Sequence, residues 1–258
     1  MIKNIFVSYA FTYILCGLVE ARDLVLVIGG TGRTGWHVVE YAIKSDYEVR
    51  ATTRDISKAS NFQKYSNLNW IELDIREPEQ LSKAMSGVNY VVSTVGGACR
   101  ENPNSARYVD YEGLVNIANA IKGSEVSQLV VTSSVNAGLT QQSLNEFCGN
   151  TLIWKWLGED YVRDSGLNYT IVRPGGLDIG KNTDRRIRIG GDRAFTTGVI
   201  SRVDVAQVLI DVLGDKDAYL KTLEIISGEG GSINQWQKNL KLIPSDPIQK
   251  KPLSFNKP

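Results

Sequence analysis

The stretch VLVIGGTGRTG, residues 25–35, joins an apolar run to a glycine turn and to a helix-like segment that continues to Ile43. Gly30, Gly32 and Gly35 fit the G-x-G-x-x-G pattern. The first glycine permits a tight turn after a buried strand, the second lets a pyrophosphate approach the backbone, and the third lets the helix pack closely on the strand. The helix N-terminus then faces the phosphates. The pattern predicts a dinucleotide site formed by Gly29, Gly30, Thr31, Gly32, Arg33, Thr34 and Gly35.

The composition is that of an ordinary globular α/β protein. The chain has 258 residues, of which 42% are hydrophobic and 22% charged. Its net charge of +1 gives no broad basic excess, so we do not expect a nucleic-acid partner. Cys16, Cys99 and Cys148 suggest neither a disulfide framework nor a zinc site. With His37 as the single histidine, we expect no bound metal.

The first 22 residues precede the predicted fold as an N-terminal extension. Lys3 comes before an apolar run from Ile5 to Val19, which has the layout of a signal or targeting sequence. The run is short for a membrane span, so we expect no stable membrane-spanning helix. An extra segment or an early start codon explains the same residues equally well. Because the cofactor has to be supplied, we expect a cytoplasmic location or an organelle interior.

Strands and helices alternate after the glycine turn, which predicts a parallel sheet covered on both faces. Further strands are predicted at residues 47–53, 68–73, 88–95, 128–132, 169–172 and 220–226. Helices are predicted at residues 57–65, 77–85, 105–121, 151–165 and 202–213, and short strands within 186–197. No repeat and no interdomain linker interrupts the pattern, which indicates a single domain.

The end of the second predicted strand indicates which dinucleotide binds. An acidic residue there holds the ribose hydroxyls of NAD, whereas an arginine suits the 2′-phosphate of NADP. Thr53 stands in the place of the acid and Arg54 follows it. A guanidinium binds phosphate bidentately, and Arg33 can approach the same group from the glycine loop. We favour NADP, with NAD held by Asp55 as the alternative.

Two further strand ends are candidates for cofactor contacts. Asp74 and Ile75 follow the third strand, where they can contact adenine; a helix N-cap is the alternative role for Asp74. Thr94, Val95 and Gly96 end the fourth strand beside the glycine loop, and their small size leaves room for the middle of the cofactor. A tight turn explains the same residues.

Four more motifs accompany the glycine loop, Arg54 and Asp74: Ser133-Ser134, Lys155-x-x-x-Glu159, TIVRPGGL at 170–177 and ISRVDVA at 200–206. Together they resemble the atypical short-chain dehydrogenase/reductases, in the NAD(P)H-binding branch that includes NmrA-like proteins. The resemblance runs from about residue 24 to about residue 228. It implies an α/β fold, a Rossmann-type doubly wound parallel sheet with a small C-terminal substrate lobe. We assign residues 23–243 to one domain, with the lobe mainly at 177–243, and residues 244–258 to a flexible tail.

The resemblance also implies catalytic and cofactor-binding residues. Working enzymes of this superfamily use serine, tyrosine and lysine, and Ser134 and Lys155 take the first and last places. The tyrosine is expected four residues before the lysine, where this chain has Thr151, a poor acid at neutral pH. Lys155 would hold the nicotinamide ribose, or alternatively pair with Glu159 on the helix surface.

The same resemblance places Arg173, Pro174 and Gly175 beside the nicotinamide. The proline makes the turn rigid and the glycine permits a close backbone approach, although a purely structural turn is the alternative. Ser134 likewise either bonds a ligand or ends a strand.

Two functions fit these residues. The first is an NADPH-dependent oxidoreductase acting on a small carbonyl, quinone or conjugated acceptor. The second is a non-catalytic NADP(H)-sensing regulator or an assembly or scaffold protein, which the missing tyrosine favours. We expect a small-molecule substrate or none, and a monomer or a homodimer.

Overall fold

The computed structural model describes residues 22–99, 102–178, 186–228 and 235–247. The expected N-terminal extension lies outside these ranges except for Arg22, and so does most of the expected tail. The strands are β1 Leu24–Ile28, β2 Glu48–Thr53, β3 Leu68–Glu72, β4 Tyr90–Ser93, β5 Gln128–Thr132, β6 Tyr169–Pro174, β7 Gly176–Asp178, β8 Arg186–Gly190, β9 Val199–Ser201 and β10 Lys221–Gly228. The helices are α1 Gly35–Lys44, α2 Pro78–Ala84, α3 Gly113–Ile121, α4 Ser143–Phe147, α5 Thr151–Asp164, α6 Arg202–Asp211 and α7 Gln235–Leu240.

The central sheet has eight strands in the order β3-β2-β1-β4-β5-β6-β10-β8. Every neighbouring pair is parallel except β10 and β8, which are antiparallel. After β1 the chain builds β2 and β3 on one side, then returns to place β4 on the other side. This reversal opens a crevice at the carboxyl ends of β1 and β4, where ligands of such sheets bind. The predicted Rossmann-type α/β fold is confirmed.

Both faces of the sheet are buried, as the apolar run of β1 predicts. Val25 and Val27 pack on one face with residues of α1 and α6. Leu26 and Ile28 pack on the other face with residues of α2 and α3. Two helix layers therefore cover one sheet, and they leave its carboxyl edge open.

The predicted helix at 105–121 differs from the observed one. Arg107–Glu112 forms a π-helix, and α3 follows it. Gly158 of α5 lies against the carbonyl oxygen of Asp110, where a Cβ on that glycine would come within 2.1 Å. The widened turn thus sits where Gly158 brings α5 against the backbone at Asp110, a contact that hydrophobic periodicity cannot encode.

Short elements account for other differences. Strands β7 and β9, of three residues each, pair in parallel outside the main sheet. Helices α4 and α7, of five and six residues, were not predicted. Elements of this length span less than two periods of the hydrophobic pattern, so the pattern gives no signal for them.

The structure contains a disulfide bond that the sequence did not suggest. Cys99 and Cys148, separated by 49 residues, are joined by a disulfide bond. The first follows β4 and the second precedes α5, and both segments come together at the carboxyl edge of the sheet. Their spacing in the sequence carries no sign of this, because the fold alone brings the segments together.

The beginning of the expected tail is anchored to the sheet. The Asp246 carboxylate accepts hydrogen bonds from the Thr222 hydroxyl at 2.7 Å, the Tyr169 hydroxyl at 3.0 Å and the Arg163 side chain at 3.2 Å. Asp246 thereby ties the end of the described chain to β6, β10 and α5.

Candidate functional site

A cavity of about 560 Å³ opens at the carboxyl ends of β1, β2 and β4. Its volume lies in the range of small-molecule and cofactor sites. Residues predicted to bind the cofactor line it: Gly29, Thr31, Gly32, Arg33, Thr34, Arg54, Asp74, Ile75, Thr94, Val95 and Gly96. Further lining residues that sequence reasoning missed include Lys58, Arg76, Asn104, Leu177 and Arg202.

The glycine loop is held in place by neighbouring strand ends. The Gly29 amide donates to the Thr52 hydroxyl at 3.1 Å, and the Gly30 amide donates to the Thr52 carbonyl at 3.0 Å. A Cβ at Gly35 would lie 2.0 Å from the carbonyl oxygen of Gly29, so this position requires glycine. The close packing of α1 on the loop therefore depends on Gly35, and the N-cap residue Thr34 lines the cavity beside Gly32.

One end of the cavity is rich in positive charge. Arg54, Lys58 and Arg76 all line it. The Arg54 guanidinium donates to the side-chain oxygen of Asn104. Because Asn104 is neutral, this hydrogen bond does not compensate the positive charge of Arg54. Phosphate esters are the ligands that such a cluster suits.

Asp74 and Arg76 form an ion pair at the same end. The Arg76 Nε donates to Asp74 Oδ1 at 2.9 Å, and a second hydrogen bond joins the other atoms of the two groups. These side-chain hydrogen bonds lower the pKa of Asp74 and so stabilise its ionised form. Asp74 also accepts the Arg76 amide at 3.0 Å, so it closes a turn as well as lining the cavity.

Asp55, the alternative ribose ligand, is committed to local structure. Its carboxylate accepts hydrogen bonds from the Ser57 amide at 3.1 Å and the Ser57 hydroxyl at 2.6 Å. It thereby caps the 3₁₀ helix Ile56–Asn61, and its hydrogen bonds with Ser57 lower its pKa. Asp55 is not among the residues described as lining the cavity.

Lys155 lies next to the cavity wall in an ion pair. Its Nζ atom is 2.6 Å from Asp110 Oδ1, and Asp110 Oδ2 accepts the Gly97 amide at 2.9 Å. A Cβ at Gly96 would lie 3.9 Å from the same Nζ atom. Asp110 thus fixes both the lysine and the wall, yet sequence reasoning missed it because its partners are 13 and 45 residues away.

The other proposed catalytic residue has a local partner. The Ser134 hydroxyl donates to the carbonyl oxygen of Val135 at 3.1 Å. Thr151 begins α5 and is 8% exposed. Neither is among the described lining residues of the large cavity. The position of the missing tyrosine therefore carries a buried threonine.

Arg173 lies in a buried ion network. Its side chain is 1% exposed, and it donates to Glu159 at 2.9 Å and 2.6 Å. Glu224 lies 3.4 Å away and Asp192 forms a further hydrogen bond, while Arg163 donates to Glu159 Oε2, which Arg173 also bonds, at 2.9 Å. Burial raises the pKa of Glu159, but the charge and hydrogen bonds of Arg173 outweigh it and lower the pKa to about 2. The network joins α5, β6 and β10.

The remaining predicted residues lie behind or beside the lining. Gly30 has its Cβ position filled by Ala51 and Trp70 at 3.0 Å, and Pro174 ends β6. A Cβ at Gly175 would lie 2.6 Å from the carbonyl oxygen of Gly198. The cavity lining among the described residues includes none of these three.

Comparison with known proteins decides the family. The family model described as NAD(P)H-binding matches residues 29–216, which is most of the chain and includes the glycine loop and the cavity. This chain belongs to the NAD(P)H-binding family. The resemblance to the atypical, NmrA-like short-chain dehydrogenase/reductases is confirmed.

Curated proteins are similar to this chain over most of its length. An uncharacterized chloroplastic protein of Arabidopsis thaliana is 32% identical over 214 residues, covering 79% of this chain and 76% of the relative. The chloroplastic protein TIC 62 of Pisum sativum is 27% identical and covers 86% of this chain, which spans 46% of TIC 62. Sanguinarine reductase of Eschscholzia californica is 27% identical, covering 85% of this chain and 94% of the enzyme.

Solved structures share the fold. An oxidoreductase of Lactococcus lactis has a TM-score of 0.72 and 21% identity, covering 84% of this chain and 96% of that one. A short-chain dehydrogenase/reductase of Veillonella parvula, solved in complex with NADP, has a TM-score of 0.66 and 16% identity, covering 82% of this chain and 96% of that one. Within the described ranges, we find no helix with the length and apolar character that crossing a membrane requires.

Proposed function

We propose that this protein binds NADP(H) in the 560 Å³ cavity and uses it as an oxidoreductase on a small carbonyl, quinone or conjugated acceptor. The observation that carries the proposal is the cavity itself, which joins the glycine loop to a cationic end. Reductases among the relatives, such as sanguinarine reductase, support the same class of activity.

The residues present fit a phosphorylated dinucleotide. Gly32 lines the cavity and leaves the backbone bare where the pyrophosphate would lie, while Gly35 lets α1 pack closely behind it. Arg54 supplies positive charge where the adenosine end would lie, whereas the nearby charges of Lys58 and Arg76 are partly balanced by Asp55 and Asp74. The capping role of Asp55 removes the carboxylate that NAD would need there, so we favour NADP over NAD.

The reaction needs a hydride, which bound NADPH supplies. Within the described part of the chain, Lys155 Nζ bonds Asp110 with one of its three protons, and it could donate the others to the nicotinamide ribose of a bound dinucleotide. Ser134 can turn its hydroxyl from the Val135 carbonyl toward an acceptor oxygen. Pro174 and Gly175 shape the neighbouring turn. With Thr151 in the place of the tyrosine, we propose that water or the substrate itself supplies the proton that the product takes up after hydride transfer.

A second function has its own support. Thr151 removes the expected proton donor, and relatives include TIC 62 and the photosystem II assembly factor Ycf39 of Cyanophora paradoxa. A non-catalytic NADP(H)-sensing regulator or an assembly protein would need the same cavity. Cofactor binding without turnover is its signature.

The phosphate assignment is tested with Arg54→Gln. The loss of one charge-assisted contact should weaken NADPH binding about tenfold or more and leave NADH binding unchanged. Arg22→Gln is the matched control, because Arg22 precedes β1 at the opposite edge of the sheet. Fluorescence titration measures both affinities, and an unaltered preference for NADPH in Arg54→Gln would reject the assignment.

The reaction is tested by following NADPH oxidation with quinones, aldehydes and conjugated ketones. An oxidoreductase consumes NADPH with at least one class of acceptor, and the rate follows the protein concentration. Tight NADPH binding without consumption across the panel would favour the regulator.

We also propose where the protein is located and how it assembles. Chloroplastic relatives support an organelle interior, with the cytoplasm as the alternative. Imaging a fluorescent fusion of the full chain would separate the two. Sedimentation would separate the proposed monomer from the homodimer.

A further inference from the structure

Two arginines from distant parts of the chain meet at the cavity. Arg33 belongs to the glycine loop, and Arg202 begins α6. Both line the cavity, although they are far apart in sequence. Arg202 lies within the ISRVDVA motif, yet the sequence alone gave its side chain no role.

The fold holds Arg202 in this place. Helix α6 packs beside α1 on the same face of the sheet. Both helices begin at the carboxyl edge, where Thr34 and Arg202 line the cavity. The Arg202 guanidinium donates through Nη1 to the carbonyl oxygen of Asp178 at 3.0 Å. That carbonyl belongs to β7, which pairs with β9 directly before α6. The two-stranded sheet therefore fixes the direction of the side chain.

The two arginines keep their charges without a partner carboxylate in the described ranges. Among the described residues, neither guanidinium forms an ion pair with a carboxylate. Burial and the charge of Arg33 lower the pKa of Arg202, which indicates that the two cations repel each other across the cavity. An anion between them would remove this repulsion.

The start of α1 lies at the same place. Within the described part of the chain, no side chain caps this helix and its first turn contains no acidic residue. The Trp36 amide already donates to the Gly32 carbonyl at 3.0 Å, so an anion here would interact with the helix dipole and with other amides at the start of α1. Three sources of positive potential, namely α1, Arg33 and Arg202, surround one region of the cavity.

We propose that Arg202 and Arg33 close on the pyrophosphate of the bound dinucleotide from the side opposite the amides of α1. This inference rests on the proposed binding of NADP(H) and adds a second, side-chain arm to the glycine loop. It moves Arg33 from the 2′-phosphate, where the sequence analysis placed it, to the pyrophosphate, and leaves the 2′-phosphate to Arg54 as proposed above. Arg202 is thus a cofactor-binding residue of the substrate lobe.

The test compares ligands that differ in their phosphates. Arg202→Gln and Arg33→Gln should each weaken NADPH, NADH and ADP-ribose by a similar factor of about tenfold, because all three carry the pyrophosphate. Binding of adenosine 2′-monophosphate, which lacks it, should not change. Arg22→Gln is the control for a general loss of charge. Arg202→Lys keeps a cation and should recover part of the lost affinity.

Three results would overturn the inference. One is weakening confined to NADPH, which assigns these arginines to the 2′-phosphate. Another is unchanged ADP-ribose binding in Arg202→Gln. The last is a higher KM for the acceptor at constant cofactor affinity, which assigns Arg202 to the substrate. If the unaltered protein binds no dinucleotide, the proposed function itself fails, and this outcome is distinct from the other three.

Discussion

Replacing Arg173 by Met tests whether this arginine stabilises the fold or contacts the cofactor. The side chain is 1% exposed and faces Glu159 and Glu224, which are both fully buried. Methionine has a similar length and removes the charge, so little packing is lost. The substitution leaves two buried carboxylates without their shared partner, although Glu159 keeps Arg163 at 2.9 Å. We therefore expect a large loss of stability with the cavity lining left in place.

The magnitude follows from the pKa of Glu159. Its fall from 4.5 to about 2 corresponds to about 3 kcal/mol at roughly 1.4 kcal/mol per pKa unit. Removing one partner of a buried ion pair costs about 3–5 kcal/mol, and the remaining Arg163 contact places Arg173→Met at the lower end. The expected loss in the free energy of unfolding near neutral pH is therefore about 3 kcal/mol.

The pH dependence has a defined sign. Because the folded-state pKa of Glu159 lies below its unfolded value, its contribution is complete above pH 4.5 and is lost as the pH falls toward about 2. The difference in stability between the unaltered protein and Arg173→Met should shrink in this window. At about pH 3, less than half of the difference at neutral pH should remain.

Urea unfolding at several pH values measures these differences, with Arg22→Met as the exposed control. NADPH titration under conditions where Arg173→Met is folded supplies the second readout. We expect an affinity close to that of the unaltered protein, because Arg173 does not line the cavity among the described residues. Unchanged stability together with lost NADPH binding would refute the structural role and return Arg173 to the cofactor.

Three further substitutions test other parts of the fold and site. Cys148→Ser removes the disulfide bond to Cys99, which closes a loop of 49 residues, and should lower the free energy of unfolding in urea by about 4 kcal/mol. Dithiothreitol should cause no further loss in this variant. Equal stability of the oxidised and reduced forms of the unaltered protein would contradict this. Gly35→Ala places a Cβ 2.0 Å from a carbonyl oxygen of the glycine loop and should lower both the melting temperature and NADPH affinity, and normal values for both would show that α1 packs differently. Asp110→Asn keeps a hydrogen-bond acceptor for the Gly97 amide but removes the charge beside Lys155. We expect about 1–3 kcal/mol of destabilisation and equal losses of affinity for NADPH and NADH. A change in the ratio of these two affinities would conflict with a position remote from the 2′-phosphate.

The parts that the sequence predicted are those encoded in consecutive residues. The glycine spacing at 29–35 and the apolar run of β1 carry the turn, the close helix packing and the burial on both faces. Arg54 was found in the same way, because its position relative to the end of β2 is local. These features need no knowledge of distant contacts, so they survive the step from pattern to structure.

The parts that escaped depend on which segments meet. Asp110 reaches Lys155 across 45 positions, and the disulfide joins residues 49 positions apart. Arg202 stood in a recognised motif, but only the packing of α6 beside α1 brings it to the cavity. The hydrophobic pattern reports the period of one element and carries no information about such pairs.

The missing tyrosine also limits which acceptors the proposed enzyme can reduce. Hydride addition to a simple ketone or aldehyde leaves an alkoxide, a strong base that needs a proton donor in the site. Addition to a quinone leaves an anion whose charge is spread over the ring, and water is acidic enough to protonate it. Addition to an iminium leaves a neutral amine, which needs no proton. With a buried threonine at position 151 and Lys155 paired to Asp110, we expect quinones and iminium ions to react faster than aldehydes of similar size. Steady-state rates of NADPH oxidation with acceptors of matched size show which acceptor class reacts faster. Thr151→Tyr should accelerate the aldehydes selectively, and equal rates for all acceptor classes in the unaltered protein would show that another group supplies the proton.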